Sequence, residues 1–109
     1  MNSVAVFAHR GASATHPENT AAAFGEALRL GVEAVELDVR LSVDRQMVVI
    51  HDETVDRTSD GHGEIRRLSL KEIEELDAGA WFGAEFVGER LLTLGAALDL
   101  LAGEVRLKV

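Results

Sequence analysis

The sequence predicts an α/β fold built on a parallel sheet, and three observations carry that expectation. Apolar runs of strand length recur at residues 4–8, 34–39 and 47–50. Helix-period stretches also occur along the chain, and strands joined through helices take right-handed crossovers and pair in parallel. Each run also ends in or contains polar chemistry: His9-Arg10-Gly11 after the first, Glu36 and Asp38 inside the second, His51-Asp52 after the third. Strands of a parallel sheet are buried on both faces and read as unbroken Val, Ile and Leu. Polar residues there need a reason, and a site at the carboxyl edge, where α/β folds place their ligands, supplies one.

Strand one covers residues 4–8, and a small polar loop covers 11–17. Asn19 or Thr20 can cap the helix that follows by accepting from an orphan N–H. Ala21, Phe24, Ala27 and Leu28 keep helical spacing on one face, and Gly31 ends the helix as its C′ residue. Strand two spans 34–41, Asp44-Arg45 is a turn, and strand three spans 47–50. Residues 53–63 are polar, with glycines on either side of His62, and read as a surface loop. Ser69-Leu70-Lys71-Glu72 is a capping box opening a short helix. Residues 78–88 set Trp81, Phe82 and Phe86 among glycines, which predicts a compact loop with Trp81 and Phe82 in its own core. Thr93 caps a last helix with Leu94, Ala97, Leu98 and Leu101 on one face. Gly103 closes it, and residues 105–109 begin strand four. Four strands with intervening helices look like half of a TIM-type (β/α)8 barrel. A full barrel needs about 250 residues, and a lone half leaves open edges. The expectation is therefore a fragment, or a half completed by a second chain.

Composition narrows the function. At 109 residues the chain is one domain at most, and a hydrophobic share of 47% can supply its core. Eleven basic and nineteen acidic side chains leave a net charge of −8, which disfavours a nucleic-acid surface. There is no cysteine, so disulfides and thiolate metal sites are excluded. No apolar stretch approaches the roughly 20 residues of a membrane span, and no basic leader precedes strand one. A cytoplasmic location is the default expectation. GxxxxGK[ST], GxGxxG, GxSxG and HExxH are all absent, which removes the common nucleotide, serine-hydrolase and zinc-protease readings.

Glu36 and Asp38 are the strongest local signal. Residues two apart on a strand share a face, so Val35, Leu37 and Val39 take one side and Glu36, Asp38 and Arg40 the other. Two carboxylates so placed can bind a hard cation such as Ca2+ or Mg2+; a wet face with an Arg40–Asp38 pair is the bland alternative. His9 and His51 can act as general acid or base. Arg10 offers a bidentate fork to phosphate, or an ion pair to Glu18, or both. Asp52 can orient a ring or cap the next loop. His16 and His62 read as solvated residues.

These residues, in order, resemble the glycerophosphodiester phosphodiesterase family. The resemblance runs through His9-Arg10-Gly11, Pro17-Glu18-Asn19-Thr20, Glu36-Leu37-Asp38-Val39 and His51-Asp52. It continues through Asp56-Arg57-Thr58, Leu76-Asp77-Ala78-Gly79 and Trp81-Phe82. It implies a barrel with a small insertion after strand three, at residues 54–88. It also implies metal-dependent hydrolysis of glycerophosphodiesters, small-molecule substrates, to an alcohol and glycerol 3-phosphate. His9 and His51 would be the acid/base pair, Arg10 a phosphate contact, and Glu36 and Asp38 ligands of one divalent cation, Ca2+ or Mg2+. Three departures stand out. Asp44-Arg45 replaces the family's usual Asp-Gly, and Leu92-Thr93-Leu94-Gly95 its Pro-Thr-Leu-Glu. The family's further acidic ligand, in a Glu-x-Lys pattern on strand four, is not found: residues 105–109 read as that strand stopping before the acid, or else Arg106 stands in its place. The isolated 109 residues are therefore expected to be nearly inactive. A related phospholipase D or C acting on lipids, and a non-catalytic half-barrel, are the alternatives.

Overall fold

The structure is a computed structural model that describes residues 7–101 and, as backbone, 106–108. Residues 4–6 of the expected first strand and Gly103 lie outside the described residues. The elements are β1 (Phe7–His9), α1 (Ala21–Arg29), β2 (Ala34–Glu36), β3 (Val39–Leu41), β4 (Met47–Val49), α2 (Leu70–Glu74), α3 (Leu94–Leu101) and β5 (Arg106–Lys108). Short 3-10 turns occupy Ile65–Arg67 and Ala84–Phe86.

The parallel sheet is present, with strand order β1-β2-β5. It has three described strands, not four. The single strand expected over 34–41 is broken at Leu37-Asp38, and its second half pairs antiparallel with β4 in a hairpin. The reason is the connection length. Parallel strands need a crossover of a dozen or more residues, and only five residues separate Leu41 from Met47. The inside–outside alternation nonetheless persists through the break: Val35 and Leu37 are buried, Glu36 and Asp38 half-buried.

The hairpin divides the interior in two. Successive strand residues point to opposite faces. Val49 packs with Phe24, Val35, Leu37 and Leu101 beneath α1 and α3, while Val48 and Ile50 pack with Val55, Ile65, Ile73 and Leu91. The segment after β4 therefore builds its core on the back of the same hairpin that reaches the sheet. Glu89 adds a second tie, accepting from the Ala22 N–H at the start of α1 at 2.9 Å.

Local signals place the helices. Thr20, not Asn19, is the N-cap of α1, its hydroxyl accepting from Ala23 N at 3.3 Å. Asn19 sits in the left-handed region at φ 59°. Gly31, at φ 73°, follows the helix and donates to the Leu28 carbonyl. Both halves of the Ser69–Glu72 capping box are formed. Thr93 caps α3 by accepting from Ala96 N. Ala97 and Leu101 of its expected apolar face are buried, but Leu98 is 39% exposed.

In the hairpin turn Arg45 has φ 62°, a region that costs a residue with a Cβ roughly 1–2 kcal/mol. Arg45→Gly relieves that strain at the cost of extra freedom in the unfolded chain. The expected net gain is about 0.5–1 kcal/mol, read as a higher denaturation midpoint.

Candidate active site

His9 and Glu36 are the last residues of β1 and β2 and stand side by side in the register of the parallel sheet. Their side chains meet across it, His9 Nε2 lying 3.2 Å from Glu36 Oε1. Lys108 of β5 takes the next register position beside Glu36. The carboxyl edge of the sheet thus carries the polar residues, as the sequence pattern requires.

Arg10 follows in the left-handed region, at φ 57°. Its N–H donates to the Glu36 carbonyl at 2.6 Å and its own carbonyl accepts from Asn19 N at 2.9 Å. This pinned backbone carries the guanidinium to two acids. Nη1 lies 3.3 Å from Glu18 Oε2, and Nε lies 3.4 Å from Asp38 Oδ2. The Glu18 pair and the orientation toward Asp38 coexist. Arg10 Nε and Asp38 Oδ2 are buried, yet neither completes a hydrogen bond. They face each other at 3.4 Å as an ion pair whose geometry falls short of a hydrogen bond.

His51 lies just beyond β4, where Ile50 N donates to the Asp38 carbonyl at 2.9 Å. The His51 carbonyl accepts from Arg40 Nε at 2.8 Å, so Arg40 serves the backbone here. The imidazole Nδ1 is 2.8 Å from Asp52 Oδ1. An ionised carboxylate only accepts, so Nδ1 carries a proton and donates it to Asp52. Asp52 thus orients the ring. Arg57 then grips Asp52 through Nε (2.9 Å) and Nη2 (3.0 Å), and Glu18 through Nη1 (2.9 Å) and Nη2 (3.0 Å). A continuous line of charged contacts runs His51–Asp52–Arg57–Glu18–Arg10–Asp38.

The Arg57 guanidinium, and then His51, hold the Asp52 carboxyl well below the usual carboxylate range; Asp52 and Glu18 in turn raise Arg57. A carboxylate more acidic in the folded chain contributes stability that is complete above its unfolded pKa and is lost as pH falls through the folded one. The melting temperature should hold from pH 7 to about 5 and decline below about 4. Asp52→Asn should shallow that decline, measured by melts across this range.

Trp81 does not sit in a loop core. It is 39% exposed, with its ring beneath Arg57 at 6.0 Å and edge-on to Phe82. Its indole N–H donates to the Ala78 carbonyl. The loop is organised instead by Asp77, which accepts from Gly79, Ala80 and Gly88 N–H groups. His16 is half-buried rather than solvated, its ring 5.1 Å from that of Phe86. His62 is exposed and paired with Asp56.

Nothing in Asp56-Arg57-Thr58 itself marks a role for Arg57, because its two partners lie 5 and 39 residues away. Among the described residues no group of three or more His, Asp or Glu is gathered as a complete metal site. Glu36 and Asp38 provide oxygen donors suited to a hard cation, and Asp38 Oδ2, buried and completing no hydrogen bond although Arg10 Nε lies 3.4 Å away, is compatible with that role. Among the described residues no helix is long and apolar enough to cross a membrane.

A sequence profile of the glycerophosphoryl diester phosphodiesterase family matches residues 9–109. A glycerophosphodiester phosphodiesterase of Caldanaerobacter subterraneus is 53% identical over 96 residues, covering 88% of this chain and 40% of that protein. The crystal structure of a glycerophosphodiester phosphodiesterase from Agrobacterium tumefaciens superposes with TM-score 0.94 at 44% identity, over 96% of this chain and 46% of that one. The structure of an Oleispira antarctica phosphodiesterase in complex with the product sn-glycerol-3-phosphate superposes with TM-score 0.92 at 41% identity, over 95% and 42%. The chain spans less than half the length of these relatives.

Proposed function

The chain belongs to the glycerophosphoryl diester phosphodiesterase family, and on that premise we propose that it carries the acid/base and cation-binding half of a phosphodiesterase. The reaction is hydrolysis of a glycerophosphodiester to an alcohol and glycerol 3-phosphate. The product bound to the Oleispira relative supports that substrate class. The three parallel strands are read as the opening strands of a (β/α)8 barrel, and residues 54–88 as the insertion beside its carboxyl edge. The observation that carries the reading is the union of Arg10, Asp38 and His51 in one line of charged contacts, next to the His9–Glu36 pair.

The chemistry follows from charge. A phosphodiester anion repels nucleophiles. The Arg10 guanidinium, set between Glu18 and Asp38, binds a phosphate oxygen. Glu36 and Asp38 would hold a divalent cation, Ca2+ or Mg2+, which would supply positive charge against the phosphate. One histidine takes the proton of the nucleophile, either water or the glycerol 2-hydroxyl. The other gives a proton to the departing alkoxide. Asp52 occupies His51 Nδ1, so Nε2 is the ring nitrogen left to meet the reacting groups.

Calorimetric titration of the 109-residue chain with Ca2+ and Mg2+ tests the cation. Two carboxylates against the six to eight oxygen ligands that Ca2+ takes predict weak binding and little turnover by this chain alone. Asp38→Asn should abolish the heat of binding. An unchanged titration in that variant would remove Asp38 from the site. Comparing rates on deacylated and acylated substrates, in an enzyme of the relatives' length, tests the substrate class. A preference for the acylated compound would favour the lipid phosphodiesterase.

A further inference from the structure

We infer that Arg57 is a positioning residue that fastens the His51 imidazole to the phosphate-binding Arg10 through two carboxylates. Its fork is divided between them. Nε and Nη2 hold Asp52 at 2.9 and 3.0 Å, and Nη1 and Nη2 hold Glu18 at 2.9 and 3.0 Å. Each carboxylate holds a different group of the site on its other side: Asp52 holds His51 Nδ1 and Glu18 holds Arg10 Nη1.

The arrangement has a purpose that neither pair serves alone. His51 lies on the hairpin side of the molecule and Arg10 on the loop after β1. The two are linked through Asp52, Arg57 and Glu18. The His51 side chain is 45% exposed, and its Nδ1 is hydrogen-bonded to Asp52. A carboxylate held by one hydrogen bond rotates; one gripped by a planar fork does not. Arg57 thereby fixes the Asp52 plane and, through it, the tautomer and ring direction of His51. Lysine cannot substitute, because an ammonium is a point charge without the fork. The Trp81 ring beneath the guanidinium backs it from the other side.

The inference rests on the proposed role of His51, but its test does not. Long-range proton–nitrogen spectra of the imidazoles report each tautomer without turnover. In the native chain at neutral pH, His51 should show the Nδ1–H tautomer. In Arg57→Gln and in Arg57→Lys it should shift to the mixed pattern of a free imidazole. His16, bonded to Thr15, should keep its pattern in both, and circular dichroism should show the native fold. An unchanged His51 pattern in either folded variant overturns the inference. Unfolding of both also overturns it, since Arg57 would then be a brace of the fold. Loss of the His51 pattern, together with a fully active His51→Ala enzyme, would refute the proposed reaction and leave the positioning role standing.

Discussion

His51→Ala is expected to lower kcat for hydrolysis of glycerophosphocholine by about 10²–10⁴-fold, with KM little changed, in an enzyme of the relatives' length. The magnitude is that of one general acid or base step. The split between kcat and KM follows because a proton is transferred only in the transition state, so the lost interaction is absent from the ground state. His9→Ala should fall in the same range, because Glu36 orients its ring at the end of β2 as Asp52 orients His51 at the end of β4. The pH profile distinguishes them. Removing the base should abolish the acid limb of the kcat/KM bell, and removing the acid should abolish the alkaline limb. Either variant retaining near-native turnover would strike that histidine from the mechanism.

Gly11→Ala should damage the fold strongly for so small a substitution. Gly11 has φ 76°, and a methyl group there would lie 2.8 Å from the Ala23 carbonyl carbon and 2.9 Å from its Cβ. Two costs add: roughly 1–2 kcal/mol for the left-handed backbone and roughly 1–3 kcal/mol for overpacking against the buried face of α1. The expected loss is about 2–5 kcal/mol, against a total of about 5–15 kcal/mol for a domain of this kind. Relief requires moving α1 or the loop, and the loop carries Arg10. Activity in the longer enzyme should therefore fall even where the variant still folds. Urea denaturation measures the first effect and KM the second. A midpoint within experimental error of the native chain would mean that the loop yields freely.

Much of this was legible in advance where the cause is local. The Ser69–Glu72 box, the glycine after α1 and the Thr93 cap each depend on residues within a few positions, and sequence spacing shows them directly. The clustering of His9 and Glu36 at strand ends was legible because burial forbids unexplained charge there. What was missed depends on partners far along the chain. Periodicity identifies residues 34–41 as extended but does not say which strand each half pairs with; the short link to Met47 does, since it permits only an antiparallel return. Trp81 reads as core by hydrophobicity, yet its ring lies against a cation held by Glu18, 39 residues from Arg57. That same pairing hid Arg57, whose neighbours in sequence give no sign of the two acids it joins.

The proposed reaction requires His9, Glu36, Asp38 and His51 to surround one place. Mn2+, a paramagnetic cation that suits oxygen ligands, tests it directly in this chain. Substoichiometric Mn2+ should broaden the imidazole resonances of His9 and His51 together and leave His62 sharp, with the broadening lost in Glu36→Gln and Asp38→Asn. Broadening of one imidazole without the other, or equal broadening of His62, would show that these side chains do not share a cation.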